Sequence, residues 1–169
     1  MLFVPLVFFA QKNEANRLLD SGIQKVFDEK FDEALVDFDL AIEKDQKGSI
    51  KHKIYFERAQ LKRRKFKDFK GALVDYNLSL KYNPNYVRAY AYRGLLYNRN
   101  FRDFDAAEKD YRKSVELDPK CGSCWMELGY LNERLDLDEM SDAIDKAIKF
   151  GIDLNFDGKY SSTFFRVSW

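Results

Sequence analysis

Cys121-Gly122-Ser123-Cys124 is the run of this sequence with the clearest reactive chemistry. Two cysteines three residues apart at the start of a predicted helix lie within disulfide range. A helix N-terminus also lowers a thiol pKa. Three readings of Cys121 and Cys124 stand side by side. One is a local disulfide, closing so small a loop that it adds about 2 kcal/mol at most. Another is a pair of small side chains packed at a junction. A dithiol redox role is the third, and it lacks the βαβ surroundings such motifs use. No second cysteine pair or histidine lies nearby for zinc. Asp153-Leu154-Asn155-Phe156-Asp157-Gly158 matches the first half of a calcium loop, D-x-N-x-D-G. Lys159 at the seventh position can still give a backbone carbonyl, but the twelfth position, normally a bidentate Glu, is Phe164. A polar turn after the last helix is expected there, and the other reading is weak calcium binding by the Asp153–Asp157 loop of an exported, metal-responsive protein. His52 is the sole histidine and is expected on the surface. There is no Gly-rich phosphate loop and no G-x-S-x-G. Neither catalysis, a cofactor nor a small-molecule substrate is expected.

The 169 residues carry 29 Lys+Arg against 28 Asp+Glu, a net charge of +1, which speaks against a polycationic nucleic-acid binder and an acidic disordered tail. With 46% hydrophobic residues and only eight Gly and three Pro, the chain is not a linker or a low-complexity segment. Its length suits a sizeable core. The 15 Phe, 10 Tyr and 2 Trp need a packing explanation.

A repeat of about 35 residues supplies one. Gly71-Ala72-Leu73-Val74-Asp75-Tyr76 reappears as Ala106-Ala107-Glu108-Lys109-Asp110-Tyr111. The same shift carries Tyr55 onto Tyr90, Arg58-Ala59 onto Arg93-Gly94, Asp68-Phe69 onto Asp103-Phe104, and Asn83-Pro84 onto Asp118-Pro119. Phe31-Asp32-Glu33-Ala34-Leu35-Val36-Asp37-Phe38 is an earlier copy. A fixed period of this length means stacked supersecondary units. Ala72, Leu73, Tyr76 and Leu80 have helical spacing, and a second amphipathic segment precedes each such run. Pro84 and Pro119 fall where one unit stops and the next starts. Each unit is thus predicted to be a helix, a turn and a helix.

These residues resemble the tetratricopeptide repeat (TPR), whose signature is W-x2-L-G-x2-Y, then A-x3-F, then P. Trp125-Met126-Glu127-Leu128-Gly129 matches the opening, with Asn132 in place of Tyr. Ala34/Phe38, Ala72/Tyr76 and Ala107/Tyr111 match the middle, and Pro84 and Pro119 the end. The resemblance implies an all-α superhelix, or solenoid, of about four units at 14–47, 50–84, 86–119 and 121–151. Units two and three depart by a turn one residue longer, at 65–68 and 100–103. The first unit has Gln46 for the final Pro, and the fourth has Met140 and Ile144 for the Ala/aromatic pair. Small residues at Gly22, Ala59, Gly94 and Gly129 are expected to let paired helices approach, and Trp125 is expected in the core.

The resemblance also implies an inner groove lined by the first helix of each unit. Its positions here are Lys53, Phe56, Gln60, Arg63 and Arg64 from unit two. Unit three gives Arg88, Ala91, Leu95, Asn98 and Arg99, and unit four gives Met126, Tyr130, Glu133 and Arg134. A non-catalytic scaffold or assembly factor binding a protein or peptide segment is the function implied. The family's carboxylate clamp for heat-shock chaperone tails needs Lys and Asn at spaced groove positions. Phe56 and Gln60 stand there, with Tyr92 at a place for a basic residue, so that clamp is absent. The expected partner segment is apolar with some acidic character. Residues 51–70 hold nine Lys/Arg and two acids, whereas 28–47 hold eight acids and three Lys. These runs either steer a partner or are solvated helix faces. Nucleic acid is not expected, because Lys62-Arg63-Arg64-Lys65 is confined to one helix with acidic neighbours.

Met1–Phe9 is uncharged and apolar and ends in Ala10-Gln11. It is too short to span a bilayer. It reads as the second half of a secretory signal peptide over 1–10, lacking its basic leader, which would export the protein to a periplasm or envelope. The other reading is an apolar arm on the first helix of a cytoplasmic protein. Residues 152–169 form a tail ending Phe164-Phe165-Arg166-Val167-Ser168-Trp169, read as a cap on the last unit or as a docking segment.

Overall fold

The computed structural model describes residues 4–135 and 140–151. The calcium-like run at 153–158 and the tail lie outside them. The described residues form eight helices in chain order: α1 (Val4–Phe27), α2 (Phe31–Lys44), α3 (Lys51–Leu61), α4 (Phe69–Tyr82), α5 (Val87–Leu96), α6 (Phe104–Leu117), α7 (Gly122–Arg134) and α8 (Met140–Lys149). They pair as α1/α2, α3/α4, α5/α6 and α7/α8, and each pair packs on the next through α2/α3, α4/α5 and α6/α7. The backbone of α1 is continuous from Val4, so it begins earlier than the 14–47 unit read from the repeat. None of the described helices is long and apolar enough to cross a membrane.

The core is linear. Phe38, Ile54, Leu61 and Ala34 bury together at the first junction. Phe56, Tyr76, Tyr92, Leu95 and Leu96 do so at the second, and Tyr111, Val115, Cys124, Leu128 and Leu131 at the third. Each unit is therefore stabilised mainly by its neighbours. The small residues act as expected. A Cβ on Gly22 would stand 2.6 Å from the Phe38 ring, and one on Gly94 2.9 Å from Tyr111. Trp125 differs from expectation: it is half-buried. Its indole Nε1 donates to the Pro119 carbonyl at 2.9 Å, and Lys146 Nζ lies 4.5 Å from its ring centroid, so the ring seals the edge of the junction instead of filling it. Cys124 and Leu128 take the interior.

The longer turns of units two and three have a physical account. In unit one the chain leaves α1 with Lys30 N–H donating to Lys25 O at 2.8 Å, five residues back. In units two and three the span widens to six: Asp68 N–H to Lys62 O at 3.0 Å and Asp103 N–H to Tyr97 O at 3.1 Å. The extra residue is absorbed as a π turn at Lys62–Phe66 and at Tyr97–Phe101. Lys67 (φ 57°) and Arg102 (φ 56°) then turn the chain through the left-handed region. Asp68 and Asp103 cap the next helices, accepting from Gly71 N–H at 2.9 Å and Ala106 N–H at 3.1 Å. At the other ends, Asn83 and Asp118 precede the prolines and fold back on Asn85 and Lys120 N–H, both at 3.0 Å. Unit one has no such proline. Buried Asp45 serves instead, accepting from Ser49 N–H at 3.1 Å and Ile50 N–H at 2.7 Å.

A repeated ion pair crosses each of the middle hairpins. Arg58 Nε and Nη2 grip Asp75 at 2.9 and 2.6 Å, and Arg93 grips Asp110 at 2.7 and 2.7 Å. Both aspartates are buried. The third guanidinium nitrogen reaches back to the preceding unit, from Arg58 to Asp39 and from Arg93 to Asn77.

Candidate functional site

The first helices of successive units share one wall. α1 touches α3 and α5 touches α7, and the polar contacts on this side run from helix to helix. Arg88 reaches Glu57 of the preceding unit at 3.9 Å, and its guanidinium carbon lies 4.5 Å from the Phe56 ring centroid. Arg63 reaches forward over the Tyr92 ring at 5.6 Å and donates to Gln60 Oε1 at 3.0 Å. Arg99 lies 3.5 Å from Glu127 of the next unit, and Arg134 donates to Asn98 Oδ1 at 3.3 Å. Three of these four contacts use one repeat position, Glu57, Tyr92 and Glu127, while the arginines that meet it come from different positions.

The wall is layered. Phe56 is 0% exposed, held edge-on by Tyr86 and Tyr92 at 5.4 Å each. Ala91, Leu95, Asn98 and Met126 are also buried. They form the floor beneath the surface. Gln60, Arg63 and Tyr130 are half-buried, and Lys53, Arg64, Arg88, Arg99, Glu133 and Arg134 are exposed. Of the residues assigned to the groove from the repeat, those that meet solvent are thus charged, four of them arginines, over a mostly apolar base.

Three residues of this wall were missed by the sequence reading as a set: Glu57, Tyr92 and Glu127. They stand 35 residues apart, one after Phe56, Ala91 and Met126, so the period itself carries the signal. Burial pushes the Glu57 carboxyl up to about 7 against the pull of Arg88. Glu127 is raised for the same reason, against Arg99, and accepts from Tyr111 OH at 3.3 Å. Burial pushes the Tyr92 phenol up to about 12. Glu57 faces Arg88 at 3.9 Å and Glu127 faces Arg99 at 3.5 Å, and both arginine side chains remain exposed to solvent.

Cys121 and Cys124 are bonded to each other, with Cα atoms 5.3 Å apart across the first turn of α7. His52 is half-buried, edge-on to Tyr86 at 5.1 Å. The described residues hold no group of three His, Cys, Asp or Glu side chains placed to share a metal ion.

No family profile and no curated protein matches the sequence. Solved structures do. The backbone is similar to that of MamA, with a TM-score of 0.70 and 20% identity over 86% of this chain and 83% of that one. It is similar to the first TPR domain of Spaghetti (RPAP3), solved bound to the HSP90 peptide SRMEEVD, at a TM-score of 0.67 and 26% identity. That match covers 74% of this chain and 98% of the other. YrrB, a TPR protein with an unusual peptide-binding site, is similar at a TM-score of 0.64 and 20% identity over 83% and 70% of the two chains.

Proposed function

Since this chain is a tetratricopeptide-repeat protein by fold, we propose that it is a non-catalytic protein-interaction module whose first-helix wall holds an extended segment with acidic side chains and apolar anchors. The observation that carries this reading is the convergence of Arg63, Arg88, Arg99 and Arg134 from three units on one wall with a buried apolar floor. Guanidinium groups suit carboxylates because their planar forks donate paired hydrogen bonds. The HSP90-peptide complex of the Spaghetti domain supports a peptide partner in general terms. Phe56, Gln60 and Tyr92 occupy the places of the chaperone clamp, so the segment sought is of another kind.

Selection from a displayed peptide library against the whole chain tests the proposal. Acidic-apolar sequences are expected, and Arg63→Glu with Arg99→Glu is expected to weaken their binding at least tenfold, about the effect of losing two charged contacts. Selected peptides without acidic residues, or equal binding by the variant, would sink it. The alternative is a redox-responsive protein, suggested by the Cys121–Cys124 bond. It requires Cys121→Ser/Cys124→Ser to abolish function while the arginine variant keeps it.

A further inference from the structure

In the first three hairpins the turn joining the two helices emerges on one edge of the stack, and the turns joining successive hairpins emerge on the other. The two edges differ in chemistry. The second carries polar turns at 45–49, 83–85 and 118–120, whose side chains cap their own backbone. Its exposed ring, Tyr82, is stacked on Tyr55 at 5.8 Å. The first edge instead exposes a phenylalanine at each of three turns: Phe27 at 60%, Phe66 at 41% and Phe101 at 36%. Turning the chain does not require this, because Lys67-Asp68 and Arg102-Asp103 supply the left-handed residue and the cap. Phe101 leans on Tyr97 at 6.2 Å.

Charge on this edge is concentrated at the middle turn. Of the six basic residues between Lys62 and Lys70, two are engaged inside the fold: Lys62 with Asp75 at 2.9 Å and Arg63 with Gln60 at 3.0 Å. Arg64, Lys65, Lys67 and Lys70 are exposed around Phe66, and Lys65 Nζ stands 4.6 Å from the Phe31 ring centroid. The acid of that turn, Asp68, is used as a cap. Arg102 beside Phe101 faces Asp105 and the capping Asp103, and the turn at Phe27 carries Asp28, Glu29, Asp32 and Glu33 against Lys30. The first turn therefore tilts away from any anionic surface, and contact centres on Phe66.

From this placement we infer that the hairpin-turn edge around Phe66 docks on an anionic lipid surface. Phe66 enters the boundary between headgroups and acyl chains, and the four basic side chains lie among the lipid phosphates. One ring or one cluster of charges binds weakly, and the two together hold the protein reversibly at the surface. A single-stranded nucleic acid fits less well. It needs a continuous basic track with successive rings to stack on, and the next ring along this edge sits in a neutral turn.

Co-sedimentation of the whole chain with phosphatidylcholine vesicles, with and without one-third phosphatidylglycerol, tests this. Binding is expected to the anionic vesicles alone and is expected to weaken with salt. Lys65→Gln/Lys67→Asn/Lys70→Gln should lower the partition coefficient about 100-fold, at about fivefold per charge. Phe66→Ser should lower it about tenfold. All four side chains are exposed, so circular dichroism and melting should stay as in the parent. A Phe66→Trp variant should be quenched by acyl-brominated lipid. No binding, equal binding to both vesicle types, retained binding in both variants, or an unquenched Trp overturns the inference. Binding to a single-stranded oligonucleotide with vesicles left unbound also overturns it, and assigns the edge to nucleic acid.

Discussion

Glu57 shows how packing sets the charge of a single side chain. It lies against the floor of the first-helix wall, with one guanidinium, Arg88, at 3.9 Å. Burial raises its folded pKa to about 7, from an unfolded value near the ordinary carboxylate range. The sign of the linkage follows. Between about pH 4.5 and 7 the folded chain binds a proton that the unfolded chain has released. Stability therefore falls as pH rises through this window, and the charged state above it costs about 2–4 kcal/mol. Glu57→Gln should remove that slope and raise the urea midpoint at pH 8. Urea melts from pH 4 to 8 check it, and parallel curves for parent and variant would show that Glu57 is solvated. The repeat shift aligned Glu57 with Tyr92 and Glu127, yet a lone acid on a helix reads as surface. What could not be read is that Tyr86 and Tyr92, brought in by the neighbouring unit, bury Phe56 beside it. For the same reason Arg58 and Asp75 were legible as repeat-conserving positions but not as a buried pair.

The hairpins were the most legible level. Helical spacing, the prolines and the small residues pointed to repeated helix pairs, because those signals act within some 35 residues. The long turns at 65–68 and 100–103 were visible as an extra residue, but its absorption into a π turn was not, since several backbone solutions fit one insertion. That solution stores cost at Arg102, a non-glycine residue at φ 56°. A side chain there is disfavoured by about 1 kcal/mol, partly offset by the greater freedom of glycine in the unfolded chain. Arg102→Gly should thus stabilise the protein by about 0.5 kcal/mol. Chemical denaturation against Arg102→Ala, which keeps the Cβ and loses the charge, separates backbone relief from electrostatics. Equal stability of the two variants would place the cost elsewhere.

Across the whole stack the junctions are unequal. Arg58 and Arg93 each pin a buried aspartate of their own hairpin and a polar group of the preceding one. In unit four the same repeat position is Leu128, so the third junction lacks this tie. Its polar contacts among the described residues include Arg99–Glu127 at 3.5 Å, Tyr111–Glu127 at 3.3 Å and Arg134–Asn98 at 3.3 Å, all longer than the Arg–Asp ties. Such contacts contribute about 0–1 kcal/mol each. Asn132 is fully buried at the repeat position where Lys62 in unit two reaches Asp75, so that ion pair has no counterpart in unit four. Because each unit in a linear core leans on its neighbours, these deficits lower the cost of detaching α7 and α8 as one piece. Amide exchange should then be about 30-fold faster in α7 and α8 than in α3–α6, corresponding to about 2 kcal/mol. Arg93→Ala leaves Asp110 buried without its cation, and should bring α5 and α6 towards the protection of unit four while affecting α3 and α4 less. If α3–α8 of the parent exchange together at one rate, the stack opens as a single cooperative body, and the Arg–Asp ties do not set its weak point.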